Sequence, residues 1–185
     1  MAIACLGWGS LVWDPRELPV QGKWFEDGPL LPVEFARESR DGRLTLVIVA
    51  GYGSMVRSLW SLFANTTLAD AREALRLREG VGEKSAADYI AAWQTGDPDD
   101  RAPSGVSAWV RQHGLDAVVW TALPPQIGGN LRVPTEDQAV AHLRSLSHER
   151  RRHAERYIRM TPRQIDTPYR RRFEAEFGWS PLSAV

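Results

Sequence analysis

The chain of 185 residues is expected to fold as an α+β protein, with a mixed sheet or partly closed barrel, surrounding helices and a helical C-terminal tail. Three observations lead there. Short β-favouring runs alternate with segments of helical period, but without the even spacing that βαβ units require. An Asp-Gly pair, Asp41-Gly42, sits between two such runs and marks a hairpin, because it tolerates the positive backbone angles of a tight turn. From Thr135 onward, helical character dominates.

Residues 2–7 form an apolar run that ends at Gly7, the pattern of a strand feeding a loop at residues 8–10. Pro15, Pro19, Pro29 and Pro32 punctuate the next stretch, which reads as irregular. Two strands are expected over 31–39 and 43–50, flanking Arg40, Asp41 and Gly42, and another over 56–64. Thr66 or Thr67 can cap a helix whose apolar positions Leu68, Ala71 and Leu75 recur at helical spacing, and Gly80 can stop it. Helices are expected over 84–94 and 104–112, with the Gly-Asp-Pro-Asp-Asp stretch between them as a surface loop. Leu115 to Leu123 reads as a buried strand. A loop covers 126–130, and the tail is expected to run as one helix from Thr135 to about Tyr157, break at Pro162 and resume before Phe177. Gly51-Tyr52-Gly53-Ser54-Met55 echoes Gly7-Trp8-Gly9-Ser10, and a turn between two strands accounts for it. One domain over 1–185 is therefore expected, with a core of about 1–125 and a helical extension of about 134–178.

Composition narrows the function classes. The 23 basic residues balance 23 acidic ones, so no global field draws the protein to nucleic acid or membrane. A small neutral or zwitterionic partner fits better, and nucleic acid is not expected as one. No apolar run approaches the roughly 20 residues of a membrane span, and the opening Met-Ala-Ile-Ala-Cys-Leu lacks a basic leader, so a cytoplasmic location is expected. The single cysteine, Cys5, excludes an intramolecular disulfide and a multi-thiolate metal site, and its apolar neighbours make it a small core residue rather than a nucleophile. His113, His142, His148 and His153 lack paired ligand spacing, Gly-x-Ser-x-Gly is absent, and no phosphate loop of the Walker type occurs. No metal and no cofactor are expected. The arginine-rich tail, with Arg144, Arg150 to Arg152, Arg156, Arg159, Arg163 and Arg170 to Arg172, reads as the wet face of its helices, with contact to RNA or an acidic partner as the alternative.

Two short motifs carry the chemistry. Gly-Trp-Gly-Ser-Leu-Val-Trp at 7–13 is a glycine-rich turn after a strand, and Leu-Arg-Glu-Gly-Val at 77–81 puts Glu79 at a helix end. An amide cradle for an anion plus one acid/base carboxylate suits an amino-acid-like substrate. These residues resemble the γ-glutamylcyclotransferase superfamily, which opens on a Tyr-Gly-Ser-Leu loop, and within it the ChaC-like branch, where an aromatic and a proline follow. Leu77-Arg78-Glu79-Gly80 resembles the superfamily's motif around its acid/base glutamate. The resemblance covers about the first 80 residues. It implies a small cyclotransferase-like β-barrel, Trp8, Gly9, Ser10 and Leu11 as the substrate loop, and Glu79 as the catalytic group. Trp8 stands where the family has tyrosine, which keeps an aromatic wall and removes the phenol oxygen.

The implied reaction is cyclisation of a γ-glutamyl amine or peptide to 5-oxoproline with release of the amine. The free α-amine attacks the γ-carbonyl of the same molecule, so the protein has to hold the folded conformer and move two protons. Glu79 is expected to be partly buried, with Arg78 pointing away from it. The amides of Gly9, Ser10 and Leu11, at a strand-to-helix turn, are expected to bind the α-carboxylate. The alternative is a non-catalytic small-molecule-binding or protein-interaction module on the same fold.

Overall fold

A computed structural model describes residues 1–182; the last three residues of the domain expected over 1–185 lie outside the described residues. The strands are β1 (Ile3–Gly7), β2 (Leu30–Glu38), β3 (Leu44–Ile48), β4 (Ser54–Arg57), β5 (Leu59–Leu62), β6 (Ile90–Gln94) and β7 (Ala117–Thr121). The α-helices are α1 (Leu68–Glu79), α2 (Ala86–Tyr89), α3 (Val106–Gln112), α4 (Glu136–Ser145), α5 (His148–Met160) and α6 (Pro168–Phe177). They group into two compact units that interleave along the chain. The first comprises Met1–Gly7, Asp14–Leu31 and Arg57–Leu123, the second Trp8–Trp13, Pro32–Val56 and Pro124–Val185.

The first unit is built on a four-stranded mixed sheet of order β5-β1-β7-β6. β1 lies parallel to β7 and antiparallel to β5, and β6 is antiparallel to β7. Every residue of β1 is buried, and Ala117 to Trp120 of β7 are as well, which explains their unbroken apolar character. On α1, Ala71 and Leu75 are fully buried, and withdrawing one leucine side chain from water is worth about 1.5–3 kcal/mol. Thr67 caps that helix by accepting from the Asp70 amide, and Gly80 ends it in the left-handed region at φ 65°. The helix expected over 84–94 stops at its middle: a 3-10 turn over Glu83–Ser85 leads into Ala86–Tyr89, and Ile90–Gln94 is a strand that pairs with β7, which buries Ile90 and Trp93. That tertiary pairing overrides the helical propensity of Ala-Ala.

The second unit has a three-stranded sheet of order β3-β2-β4. The hairpin forms as expected, with Gly42 at φ 84° and an irregularity between Phe35 and Arg37 in the β2–β3 register. The strand expected over 56–64 is divided at Ser58, whose amide and hydroxyl both donate to the Pro29 carbonyl while its own carbonyl accepts from Gly28. The tail helix expected from Thr135 to Tyr157 is also divided. Ser147 caps a new helix by accepting from the Arg150 amide, so the chain turns between α4 and α5. Arg170 of α6 is buried and donates to the carbonyls of Thr161, Pro162 and Ile165, which ties down the turn before that helix. The glycine echo has a packing cause: a Cβ on Gly53 would lie 2.5 Å from the Pro32 backbone.

Neither sheet closes on itself. β5 and β6 are the edges of one and β3 and β4 of the other, so the described strands form an α+β fold with a mixed sheet and no closed barrel. No helix among the described residues is long and apolar enough to cross a membrane.

Candidate functional site

Glu79 is the last residue of α1, in the first unit. Its side chain is 17% exposed and that of Arg78 5%, so the glutamate is partly buried as expected. Arg78 does not point away: its Nη1 donates to Glu79 Oε1 at 2.7 Å. The guanidinium is also fixed by donation from Nη2 to the Asp14 carbonyl at 2.6 Å, and Arg16 Nη1 reaches the Arg78 carbonyl at 3.5 Å. A guanidinium this deeply buried needs a counter-ion, because an unpaired charge there costs several kcal/mol. The adjacent carboxylate supplies one.

Cys5 of β1 reports the same charges. Burial pushes its thiol well above the usual range, the Glu79 carboxylate raises it further, and Arg78 opposes that in part. A fully buried thiol held protonated is a core residue, so the nucleophile role is closed to it. The carboxylate of Glu79 is thus within electrostatic reach of the strand that leads into the glycine loop.

The loop itself belongs to the second unit. Trp8 is 4% exposed, and its indole Nε1 donates to the Leu46 carbonyl of β3 at 3.1 Å. It is therefore a locked packing residue rather than an open wall. Gly9 faces the hydroxyl of Tyr157 so closely that a Cβ there would stand 2.5 Å from the oxygen. Val12 N donates to the Gly9 carbonyl at 3.0 Å, a turn, and residues 10–13 continue as turn. The expected strand-to-helix geometry is thus a strand-to-turn one, which leaves the loop amides without a helix dipole behind them. Ser10 is half-buried and Leu11 buried.

Two residues that the motifs do not mark stand out in the second unit, one of them against this loop. Tyr157 of α5 is buried, accepts from the Leu46 amide at 3.3 Å, meets Trp13 edge-on at 5.4 Å and lies under the guanidinium of Arg43 at 5.4 Å. A phenol oxygen thus stands against Gly9, delivered from the tail. Glu34 of β2 is 3% exposed; its carboxylate accepts from Thr167 Oγ1 at 2.5 Å, Phe35 N at 2.9 Å and Tyr169 N at 3.4 Å. Burial pushes its pKa up to about 7, the three donors pull the other way, and nearby Glu136 adds to the rise. Neither residue carries a local sequence signal, since Tyr157 lies 144 positions after Trp13 and Glu34 sits in an ordinary strand.

Within the first unit the structure brings Glu79, Arg78 and Cys5 together; within the second it brings the 8–11 loop to Leu46 and Tyr157. Among the described residues no cluster of three or more His, Cys, Asp or Glu side chains has the arrangement to hold a metal ion. No family model matches the chain, and neither a curated protein nor a solved structure is significantly similar to it.

Proposed function

We propose that the chain is a γ-glutamylcyclotransferase-like enzyme that cyclises a γ-glutamyl amine or peptide to 5-oxoproline and releases the amine. In this reading the four-stranded mixed sheet is the cyclotransferase-like element, expected to be part of a small barrel. Glu79 takes the proton of the α-ammonium and returns one to the leaving nitrogen. The amides of Gly9, Ser10 and Leu11 bind the substrate α-carboxylate beside Trp8. No metal or cofactor enters, since both reacting groups belong to one molecule.

The observation that carries the reading is the placement of Glu79: a mostly buried carboxylate at a glycine-stopped helix end, near enough to β1 for its charge to act on Cys5. The test is to incubate the purified protein with a panel of γ-glutamyl amines and glutathione and to quantify 5-oxoproline. At least one substrate should yield the lactam, at a rate that falls about 10²- to 10⁴-fold in Glu79→Gln, the usual contribution of a positioned acid/base group.

One observation favours the alternative of a non-catalytic binding or interaction module. The same 2.7 Å ion pair commits Glu79 to a structural partner, as in a buried salt bridge that serves packing alone. No lactam from any member of the panel would leave that reading in place.

A further inference from the structure

Two serines of the first unit, Ser58 and Ser61, are fully buried, and the fold treats them differently. The Ser58 hydroxyl donates to the Pro29 carbonyl at 2.7 Å. The Ser61 hydroxyl, inside β5, has no hydrogen-bond partner among the described residues. Elsewhere among those residues, a buried side-chain polar atom of this kind is an arginine Nε, and each such guanidinium is held through its other nitrogens. Ser61 alone leaves its whole polar group unused. A hydroxyl in that position destabilises the fold, because it has given up its bonds to water and gained none, so its presence calls for a use.

Strand register shows where that hydroxyl lies. Ser61 stands opposite Cys5, Cys5 beside Val119, and Val119 opposite Ala92, so these four side chains form one row across β5, β1, β7 and β6 on a single face of the sheet. Trp60, Trp93 and Trp120 point to the other face, where Trp109 of α3 meets Trp60 edge-on at 5.3 Å and Arg111 of α3 lies over Trp93 at 5.1 Å. The face of small side chains is left to α1, which packs on β6 and β7 and whose last residues, Arg78 and Glu79, act electrostatically on Cys5. Ser61 thus brings the one hydroxyl of the row to the side of the sheet on which the Glu79 end of α1 lies.

We propose, on the γ-glutamyl reading of this site, that Ser61 is a further substrate-binding residue whose hydroxyl donates to the γ-carbonyl oxygen. In that reading the loop amides take the α-carboxylate and Glu79 takes a proton from the α-ammonium, which leaves the γ-carbonyl oxygen without a donor. Glu79 has no proton to offer while it is the base. As the amine nitrogen bonds to the γ-carbon, the carbonyl π pair moves onto oxygen; when the bond to the leaving nitrogen breaks, the pair returns and that nitrogen takes the proton held by Glu79. A donor fixed on the oxygen therefore bonds more strongly in the transition state than in the bound substrate. The Ser58 proton is committed to a backbone carbonyl, whereas the Ser61 proton is available for this.

The test compares wild type, Ser61→Ala and Glu79→Gln in the kinetics of 5-oxoproline formation on the same panel of γ-glutamyl amines and glutathione, and in their urea midpoints. Ser61→Ala removes an unused buried hydroxyl, so its midpoint should equal or exceed that of the wild type. Its kcat should fall about 10²- to 10³-fold, the usual loss of one oxyanion donor, with KM held within a few-fold. Lactam formed by Ser61→Ala at the wild-type rate while Glu79→Gln is impaired overturns the role of Ser61 and leaves the γ-glutamyl reading standing. A fall in kcat accompanied by a lower urea midpoint also overturns it, since the serine then serves the fold. No lactam from the wild type with any member of the panel overturns both.

Discussion

Two glutamates, each mostly or wholly buried, show opposite ways of keeping a carboxyl group inside a protein. Glu79, in the first unit, has a cation against it: Arg78 at 2.7 Å, itself tied to the Asp14 carbonyl. Glu34, in the second, has only neutral donors, the Thr167 hydroxyl and the amides of Phe35 and Tyr169, with Glu136 nearby as a like charge. A cation offsets the loss of water for the first carboxylate. The second is left near the balance between its charged and neutral forms, with a pKa of about 7. The difference separates a carboxylate with a cation against it from one that has only neutral donors and is poised to lose its charge.

The largest effect expected from breaking this comparison is at Arg78. Arg78→Met leaves Glu79 as an uncompensated, mostly buried charge and should cost about 3–5 kcal/mol, read as a shift in the urea midpoint at unchanged m-value. A loss under about 1 kcal/mol would mean that the pair is solvated and that Glu79 is an ordinary surface group.

Glu34 supplies the next largest. A carboxyl with a higher pKa in the folded than in the unfolded state holds its proton more tightly when folded, so it favours folding at low pH. Its contribution is complete below the ordinary value of 4.5 and is lost as pH rises through about 7, the loss amounting to about 3 kcal/mol. Comparing chemical denaturation of wild type and Glu34→Gln between pH 4 and 8 should show a decline in the wild type that the variant lacks. Parallel curves would place Glu34 in contact with solvent.

The third prediction concerns the loop. Gly9→Ala puts a methyl group 2.5 Å from the Tyr157 oxygen and should cost about 1–3 kcal/mol. In a Tyr157→Phe background that oxygen is gone, so the same change should cost distinctly less. Thermal unfolding of the four proteins of the double-mutant cycle measures the coupling. Strict additivity would show that the hydroxyl does not press on Gly9.

What could be read from the sequence follows from the range over which each signal acts. β1, the hairpin, the Thr67 and Gly80 caps, α3 and β7 were legible, because apolar runs and turn chemistry act over a few residues. β6 was not, since Ile90–Gln94 becomes a strand only through pairing with β7, which begins 23 positions after β6 ends. The Ser147 cap between α4 and α5 was masked by helical residues on both sides. Glu79 and the 8–11 loop were legible as motifs, whereas their surroundings were not. That Arg78 would turn onto Glu79 depends on a carbonyl 64 positions away, and that Trp8 would be locked depends on Leu46. The arginines of the tail were visible as a run, but which of them lacked partners depended on carboxylates of other helices.

The central claim is that Glu79 moves protons in a γ-glutamyl cyclisation. It is tested most directly by measuring, on one γ-glutamyl amine, both binding by calorimetry and 5-oxoproline formation for the wild type and Glu79→Gln. The account predicts binding retained within a few-fold and lactam formation reduced by about 10² or more. Lactam formed by the variant at the wild-type rate would contradict it.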